Sequence, residues 1–489
     1  MAYLAIDLGA GSGRVIAGEL REGSLSLTEI HRFPNRPEMR NGTWYWNWSF
    51  LYEEILAGIR RAVEQGFVID GIGVDTWGVD FGLVGPDGLL LDDPVCYRDD
   101  RTVGMSQVAS EYLSPSEWYE TTGIQQMEIN TAYQLMSSLR KKGPSSYPQG
   151  TRLLFMPDLV NYLLTGALGN EYTIASTSQM LDARSRQWSI PILDRLGIPE
   201  TWVQPIVAPG TCLGFVTSEI AARTGAHEAR VFAVGSHDTA SAVAALPASG
   251  ADWAFLSCGT WSLLGVTSNE PILTAAAMSS HFTNEGGVAD RILFLRNITG
   301  LWLLQRLMFE WEELGTTVPY DRFAELCASC AAFRSLVDVD APLFKNPPSM
   351  SAAIGRFCHE TDQPEPTSPG EFIRCVLESL AMKYRSVLES LQCCTGRTIK
   401  RLHVVGGGSR NEVLVQFVAD ATGLEVTTGL TEATAVGNII QQAIAAGAVS
   451  GWSEAHGVVA RSFAFRTYRP QHSDKWISAY SKYQKLIIR

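Results

Sequence analysis

Short apolar runs alternate along the chain with stretches in which apolar residues recur at helical spacing. The first 35 residues predict three strands. YLAIDLG is nearly continuous in apolar residues and stops at Gly9, RVIAGEL resumes after a glycine-rich turn, and SLSLTEIHRF alternates polar and apolar positions. Residues 50–65 place Leu51, Ile55, Leu56, Ile59 and Val63 on one helical face. IDGIGVD (69–75) is an apolar strand, helices are expected near 103–112 and 157–165, and KKGPSSYPQG (141–150) is a loop by composition.

A second set begins near residue 253. WAFLSCGTWSLLGVTSN repeats the strand, small-residue turn and strand of YLAIDLGAGSGRVIAGEL, which predicts two similar halves. Residues 344–370 read as a proline-rich loop. Ser368 then caps a helix, Pro369 fits its first turn and Glu371 completes a capping box, and an apolar face from Ile373 to Leu391 carries the helix to about residue 392. Strand RLHVV, turn GGGSRN, a helix from Glu412 and the helix ATAVGNIIQQAIAAG (433–447) follow. ALPASGADW (245–253) is a candidate hinge. The alternation predicts an α/β class with domains at residues 1–245 and 246–489 and a ligand cleft between them.

Charge narrows the function. There are 39 Lys and Arg against 51 Asp and Glu, a formal net charge of −12 over 489 residues. That balance argues against nonspecific nucleic-acid binding and against an anionic membrane surface. Anionic small ligands stay open, because local backbone donors hold them. The N-terminus has no basic segment and Asp7 interrupts its apolar run, so no signal peptide is expected. No run of about 18 apolar residues occurs, so no membrane span is expected, and the expected location is cytoplasmic. The Asn-x-Ser/Thr sites at Asn41, Asn47 and Asn297 then read as chance matches. Nine scattered cysteines read as reduced thiols, and Cys327 and Cys330 as structural residues of a helical stretch without further zinc ligands.

Four strands end in small-residue turns: Asp7-Leu8-Gly9-Ala10-Gly11-Ser12-Gly13-Arg14, Gly235-Ser236-His237-Asp238-Thr239, Ser257-Cys258-Gly259-Thr260-Trp261-Ser262 and Gly406-Gly407-Gly408-Ser409-Arg410-Asn411. Glycine lets a backbone approach a phosphate, with its N–H groups aimed at the oxygens. None matches the Walker loop, and GAGSG precedes a strand, unlike a dinucleotide fingerprint. Each turn alone reads as structural; four together favour a nucleotide between domains. Asp238 has two readings, as the cap of a helix starting at Thr239 and as a general base. His237 has a structural reading and one as a second base. Trp77, beside Gly78 and the carboxylates Asp75 and Asp80, suits the core and also a sugar ring.

The stretches AIDLGAGSGRVI, IGVDTWGVDFGLV, YRDDRT, NTAYQL, MPDLVNYLLTG, SHDTASAV, LSCGTWSLLG, NEGG, NITGLWLLQR and HVVGGGSRN, in this order from residue 5 to about 440, resemble the FGGY carbohydrate kinases. The resemblance implies two actin-like, ribonuclease H-like ATPase domains with a nucleotide and sugar cleft between them. It implies ATP-dependent phosphorylation of a ketose with Mg2+: L-rhamnulose at its 1-hydroxyl, with L-fuculose and xylulose as alternatives. Many family members carry Thr where this chain has Ala10, and the branch acting on L-rhamnulose carries Ala.

By the same resemblance Asp238 is the catalytic base, and Gly78, His237, Thr239 and Asn297 meet the sugar. Ala10, Gly11, Ser12, Gly13, Arg14, Thr260, Gln305 and Gly407 meet ATP, with Asn411 flanking the adenosine, and Asp7 lies near magnesium through water. Arg98, Asp99 and Asn130 are further candidates, with ion-pair or capping roles as the plainer reading. Cys358 and Cys375 match a cysteine pair of some relatives, but a disulfide is not expected. A noncatalytic sugar sensor of this fold and a chaperone-like ATPase stand as rival readings. A monomer or small homo-oligomer acting on small molecules is expected.

Overall fold

Every residue of the first strand, Ala2–Leu8, is buried, as a central strand covered on both faces requires. The computed structural model describes residues 2–487. The chain folds as two compact units interleaved in sequence. One comprises Met1–Pro247, Thr267–Phe294 and Glu432–Ser462; the other comprises Ala248–Val266, Leu295–Thr431 and Phe463–Arg489.

In the first unit Ala2–Leu8 pairs antiparallel with Ser12–Arg21, which pairs antiparallel with Ser24–Pro34. On its other side it pairs parallel with Ile69–Thr76, and the sheet continues through Arg230–Phe232 to Cys212–Phe215. The helix Trp48–Glu64 starts at Asn47, whose side chain accepts from the Phe50 N–H. It buries Leu51, Ile55, Leu56, Ile59 and Ala62 in a core shared with Leu4, Ile6, Val15 and Val74. Helix Ala433–Ala445, from far down the chain, packs on the same sheet. Gln442 Nε2 donates to the Leu4 carbonyl at 2.9 Å and Asn438 Nδ2 to Asp75 Oδ2 at 2.6 Å. Gly437 lets this helix lie directly on helix Asp238–Ala244; a Cβ there would overlap the Ser241 carbonyl.

The second unit repeats the plan. Trp253–Cys258 pairs antiparallel with Trp261–Ser268 and parallel with Arg401–Val405, followed by Glu425–Thr428 and Arg466–Tyr468. The long helix Pro369–Thr395 begins as its sequence predicts: Ser368 Oγ accepts from the Glu371 N–H, and the Glu371 carboxylate reaches back to the Thr367 N–H at 2.8 Å. Its face from Ile373 to Leu391 is buried.

Three segments differ from expectation. Residues 344–370 hold a helix, Met350–Glu360, capped by Ser349; Pro347 and Pro348 precede it and Pro364 and Pro366 follow it, so the prolines bracket the helix instead of breaking it. The helix expected near 103–112 is reduced to Met105–Ser110 behind a short 3-10 turn at Asp100–Thr102. Helix Thr131–Lys142 runs into the start of the 141–150 loop. Among the described residues no helix is long and apolar enough to cross a membrane.

Candidate active site

In the first unit the hairpin turn after Ala2–Leu8 is tied from outside. Asn35 donates its side-chain amide to the Gly9 carbonyl at 2.9 Å, and its N–H to the Gly11 carbonyl at 3.1 Å. Gly9 N–H closes the turn on the Ser12 carbonyl. Gly11 is exposed with no heavy atom near its missing side chain, whereas a Cβ at Gly13 would overlap the Phe33 ring. Asp7 and Arg14 face each other across the hairpin. The Arg14 guanidinium bridges Asp7 and Glu432, so it is already held by two carboxylates before any ligand arrives. Burial pushes the Asp7 carboxyl up, Arg14 opposes that, and the Asp238 charge adds to it. Burial likewise raises Asp75, helped by Asp7 and Asp238. Three carboxyls, Asp7, Asp75 and Asp238, thus share one field.

Thr76, at the end of the neighbouring strand, donates its N–H to the Ser236 carbonyl at 2.8 Å and bridges to His237. The strand-to-helix turn is thereby fixed to the sheet edge where the glycine turn lies. His237, not Asp238, holds the N-cap position of Asp238–Ala244, and it makes no side-chain cap bond. Asp238 sits in the first helical turn with its side chain 37% exposed, and it accepts from Thr239 Oγ1 at 3.1 Å. The capping reading therefore fails, and the carboxylate remains presented. His237 Nε2 is 3.4 Å from Asp238 Oδ1, and a Cβ at Gly78 would come equally close to Nε2. Gly78, His237, Asp238 and Thr239 are brought together.

Beneath the turn lies a carboxyl that the residue pattern does not single out. Glu171 is 1% exposed, and its Oε2 accepts from the N–H groups of Thr173, Ile174 and Ser236 and from Thr173 Oγ1. Thr173 Oγ1 in turn accepts the His237 N–H at 3.0 Å. Burial pushes Glu171 up to about 7 and Asp158, which accepts the Glu171 N–H, up to about 8. Glu171 precedes the first helical residue of YTIAS, but nothing in the sequence joins it to a turn 65 residues away.

Trp77 and Asp80 are committed to the core. Asp80 Oδ2 accepts from Trp46 Nε1 at 2.6 Å, Trp77 Nε1 at 2.9 Å and the Tyr97 N–H at 3.1 Å, and Oδ1 accepts from Gln134. Asp99 accepts from the Arg101 and Trp44 N–H groups, Arg98 Nε donates to the Tyr97 hydroxyl, and Asn130 donates to the Gln125 carbonyl and Gln179 Oε1. These polar groups have structural work.

In the second unit the LSCGTWSLLG and NITGLWLLQR stretches meet. Gly300 and Leu301 donate their N–H groups to the Thr260 and Gly259 carbonyls at 3.1 and 2.9 Å. Helix Trp302–Glu313 then brings Gln305 Oε1 to 3.0 Å from Thr260 Oγ1. Behind the turn, Ser262 Oγ and the buried Tyr384 hydroxyl lie 2.7 Å apart. The triple glycine is not a uniform flexible turn. Gly406 has φ +80°, a Cβ at Gly408 would overlap Cys258 Sγ, and only Gly407 faces open space. Asn411 caps helix Glu412–Thr422 through the Leu414 N–H. Asn297 lies half-buried on strand Ile292–Thr299, whose end is pinned by Asp340 at the Thr299 N–H.

Comparison with known proteins defines the class. Residues 2–245 match the N-terminal domain, and residues 254–446 the C-terminal domain, of the FGGY family of carbohydrate kinases. The chain belongs to the FGGY family of carbohydrate kinases. A protein of Bacteroides thetaiotaomicron named rhamnulokinase is 43% identical over 485 residues, 99% of each chain. Rhamnulokinases of Oceanobacillus iheyensis and Enterococcus faecalis are 39% and 38% identical, over 95% and 100% of this chain and 97% of each relative. Among solved structures, a ligand-bound xylulose kinase of Lactobacillus acidophilus aligns at a TM-score of 0.82 with 15% identity, covering 99% of this chain and 97% of that one. A glycerol kinase of Plasmodium falciparum with ADP aligns at 0.79 with 13% identity, over 100% and 97%. These likenesses establish the two-domain kinase fold.

Proposed function

We propose that this chain transfers the γ-phosphoryl group of ATP to the 1-hydroxyl of L-rhamnulose, giving L-rhamnulose 1-phosphate and ADP, and that it does so in the cytoplasm. The relatives named rhamnulokinase, matched along nearly their whole length, support the sugar. The observation that carries the chemistry is Asp238: an accessible carboxylate at a rigid turn, free of the capping role its position suggests. In this reading Asp238 takes the proton of the 1-hydroxyl as that oxygen bonds to the γ-phosphorus. The bond from γ-phosphorus to the β–γ bridging oxygen breaks, and ADP leaves with the electron pair.

Gly78, His237, Thr239 and Asn297 hold the sugar. The backbone and hydroxyls of Ala10, Gly11, Ser12 and Gly13, with Arg14, take the phosphates. Thr260, Gln305 and Gly407 serve the nucleotide. Residues 1–245 form the sugar and phosphate domain, and residues 246–489 the nucleotide domain. Mg2+, held near Asp7 through water, would screen the phosphate oxygens.

Coupled ADP release with L-rhamnulose, L-fuculose, L-xylulose and D-xylulose tests the reading. L-rhamnulose is expected to give the highest kcat/KM. A higher value with another ketose reassigns the substrate, and silence with all four overturns the kinase reading.

A further inference from the structure

We propose that Glu285 is a positioning residue for phosphoryl transfer: its carboxylate takes the Nδ1 hydrogen of His237 and holds the imidazole with Nε2 facing Asp238. The inference rests on the kinase reading above and extends it by one residue.

Glu285 and His237 are 6% and 7% exposed. Glu285 Oε2 lies 3.2 Å from His237 Nδ1 as an ion pair, off ideal hydrogen-bond geometry, and neither buried atom has a hydrogen-bond partner among the described residues. A buried carboxylate oxygen and a buried ring nitrogen left apart would each cost the full penalty of an unsatisfied group. In the imidazolium both ring nitrogens carry a hydrogen, and this pairing turns Nδ1–H toward Glu285. The opposite edge of the ring is thereby assigned: Nε2 stands 3.4 Å from Asp238 Oδ1, beside Gly78.

Both partners are anchored by one short segment. Thr173 Oγ1 accepts the His237 N–H, while Ser176 Oγ accepts the Gly286 N–H at 2.7 Å, next to Glu285. Thr173 and Ser176 belong to helix Tyr172–Ser176. Strand Thr283–Gly286 is buried throughout, so the Glu285 backbone has little freedom. The charged groups facing His237 are Glu285, Asp238 and Glu171. Burial pulls the imidazole toward neutrality, but the Glu285 bond and these three charges outweigh it and raise its pKa.

The test uses the full chain, with kcat, KM and pH profiles from coupled ADP release with L-rhamnulose. Glu285→Ala is expected to lower kcat by about 10- to 100-fold, the usual range for losing a partner that orients a functional imidazole. Its alkaline limb should move to lower pH, because activity falls as His237 loses its proton and the raised pKa is lost. Glu285→Gln keeps an acceptor for Nδ1–H but not the charge. It should restore kcat to within about threefold at its optimum while the limb stays displaced. In a His237→Asn background, Glu285→Ala should add nothing. Unchanged kcat and an unmoved limb in both Glu285 variants, or a full additional loss in the His237→Asn background, would overturn the inference and leave the kinase reading intact. A wild-type chain that turns over no ketose overturns both. If Glu285→Ala fails to fold, the displaced limb of Glu285→Gln decides alone.

Discussion

In the proposed transfer Asp238 is the base. Asp238→Asn keeps the shape of the side chain and removes its basicity. It should reduce turnover by about a thousandfold or more, with sugar binding by calorimetry preserved. Near-normal turnover in that variant would discard the assignment. The three consecutive glycines separate steric need from ligand access. Gly408→Ala drives a methyl into Cys258 Sγ and should destabilise the chain by about 1–3 kcal/mol in denaturant melts, with part regained by adding Cys258→Ala. Gly407→Ala meets nothing, so its melt should shift by under about 0.5 kcal/mol. It should instead raise KM for ATP and leave KM for the sugar alone.

At the scale of elements, Glu171 fastens helix Tyr172–Ser176 to the turn before Asp238. Its pKa rises from 4.5 to about 7 on folding. A carboxyl that binds its proton more tightly when folded stabilises the native state fully below pH 4.5, and that contribution is lost as pH rises through about 7. Asp158, raised to about 8, extends the same slope upward. The Tm is therefore expected to fall as pH rises from about 5 to about 8. Glu171→Gln should flatten the lower part of the slope, because its amide nitrogen can occupy the place of the unpartnered Oε1 while Oε1 keeps the four donors. A slope unchanged by that substitution would show that Glu171 is not the titrating group.

Elements of this kind also mark how far the sequence could be read. Strands with unbroken apolar runs, such as Ala2–Leu8, and the capped helix Pro369–Thr395 are local facts, written in neighbouring residues. The clustering of Gly78, His237, Asp238 and Thr239 became legible through resemblance. The carboxyls Glu171, Glu285 and Glu432 did not, because each acts on a partner 65, 48 or 418 residues away and no periodicity encodes such pairings. Met350–Glu360 was hidden by flanking prolines, whose weight in composition masked a stretch of good helix formers.

For the whole molecule, the chain has nine cysteines, with Cys212 and Cys393 exposed. A thiol titration in denaturant should count nine, and the native protein should react first at those two. A lower count in denaturant would mean that some thiols are paired. Sequence interleaving bears on assembly as well. The first unit's sheet is braced by helix Ala433–Ala445, and Arg14 waits for Glu432. A ribosome must therefore reach residue 445 before the N-terminal strands gain this support. Until then Gly437 is missing from the bed of helix Asp238–Ala244.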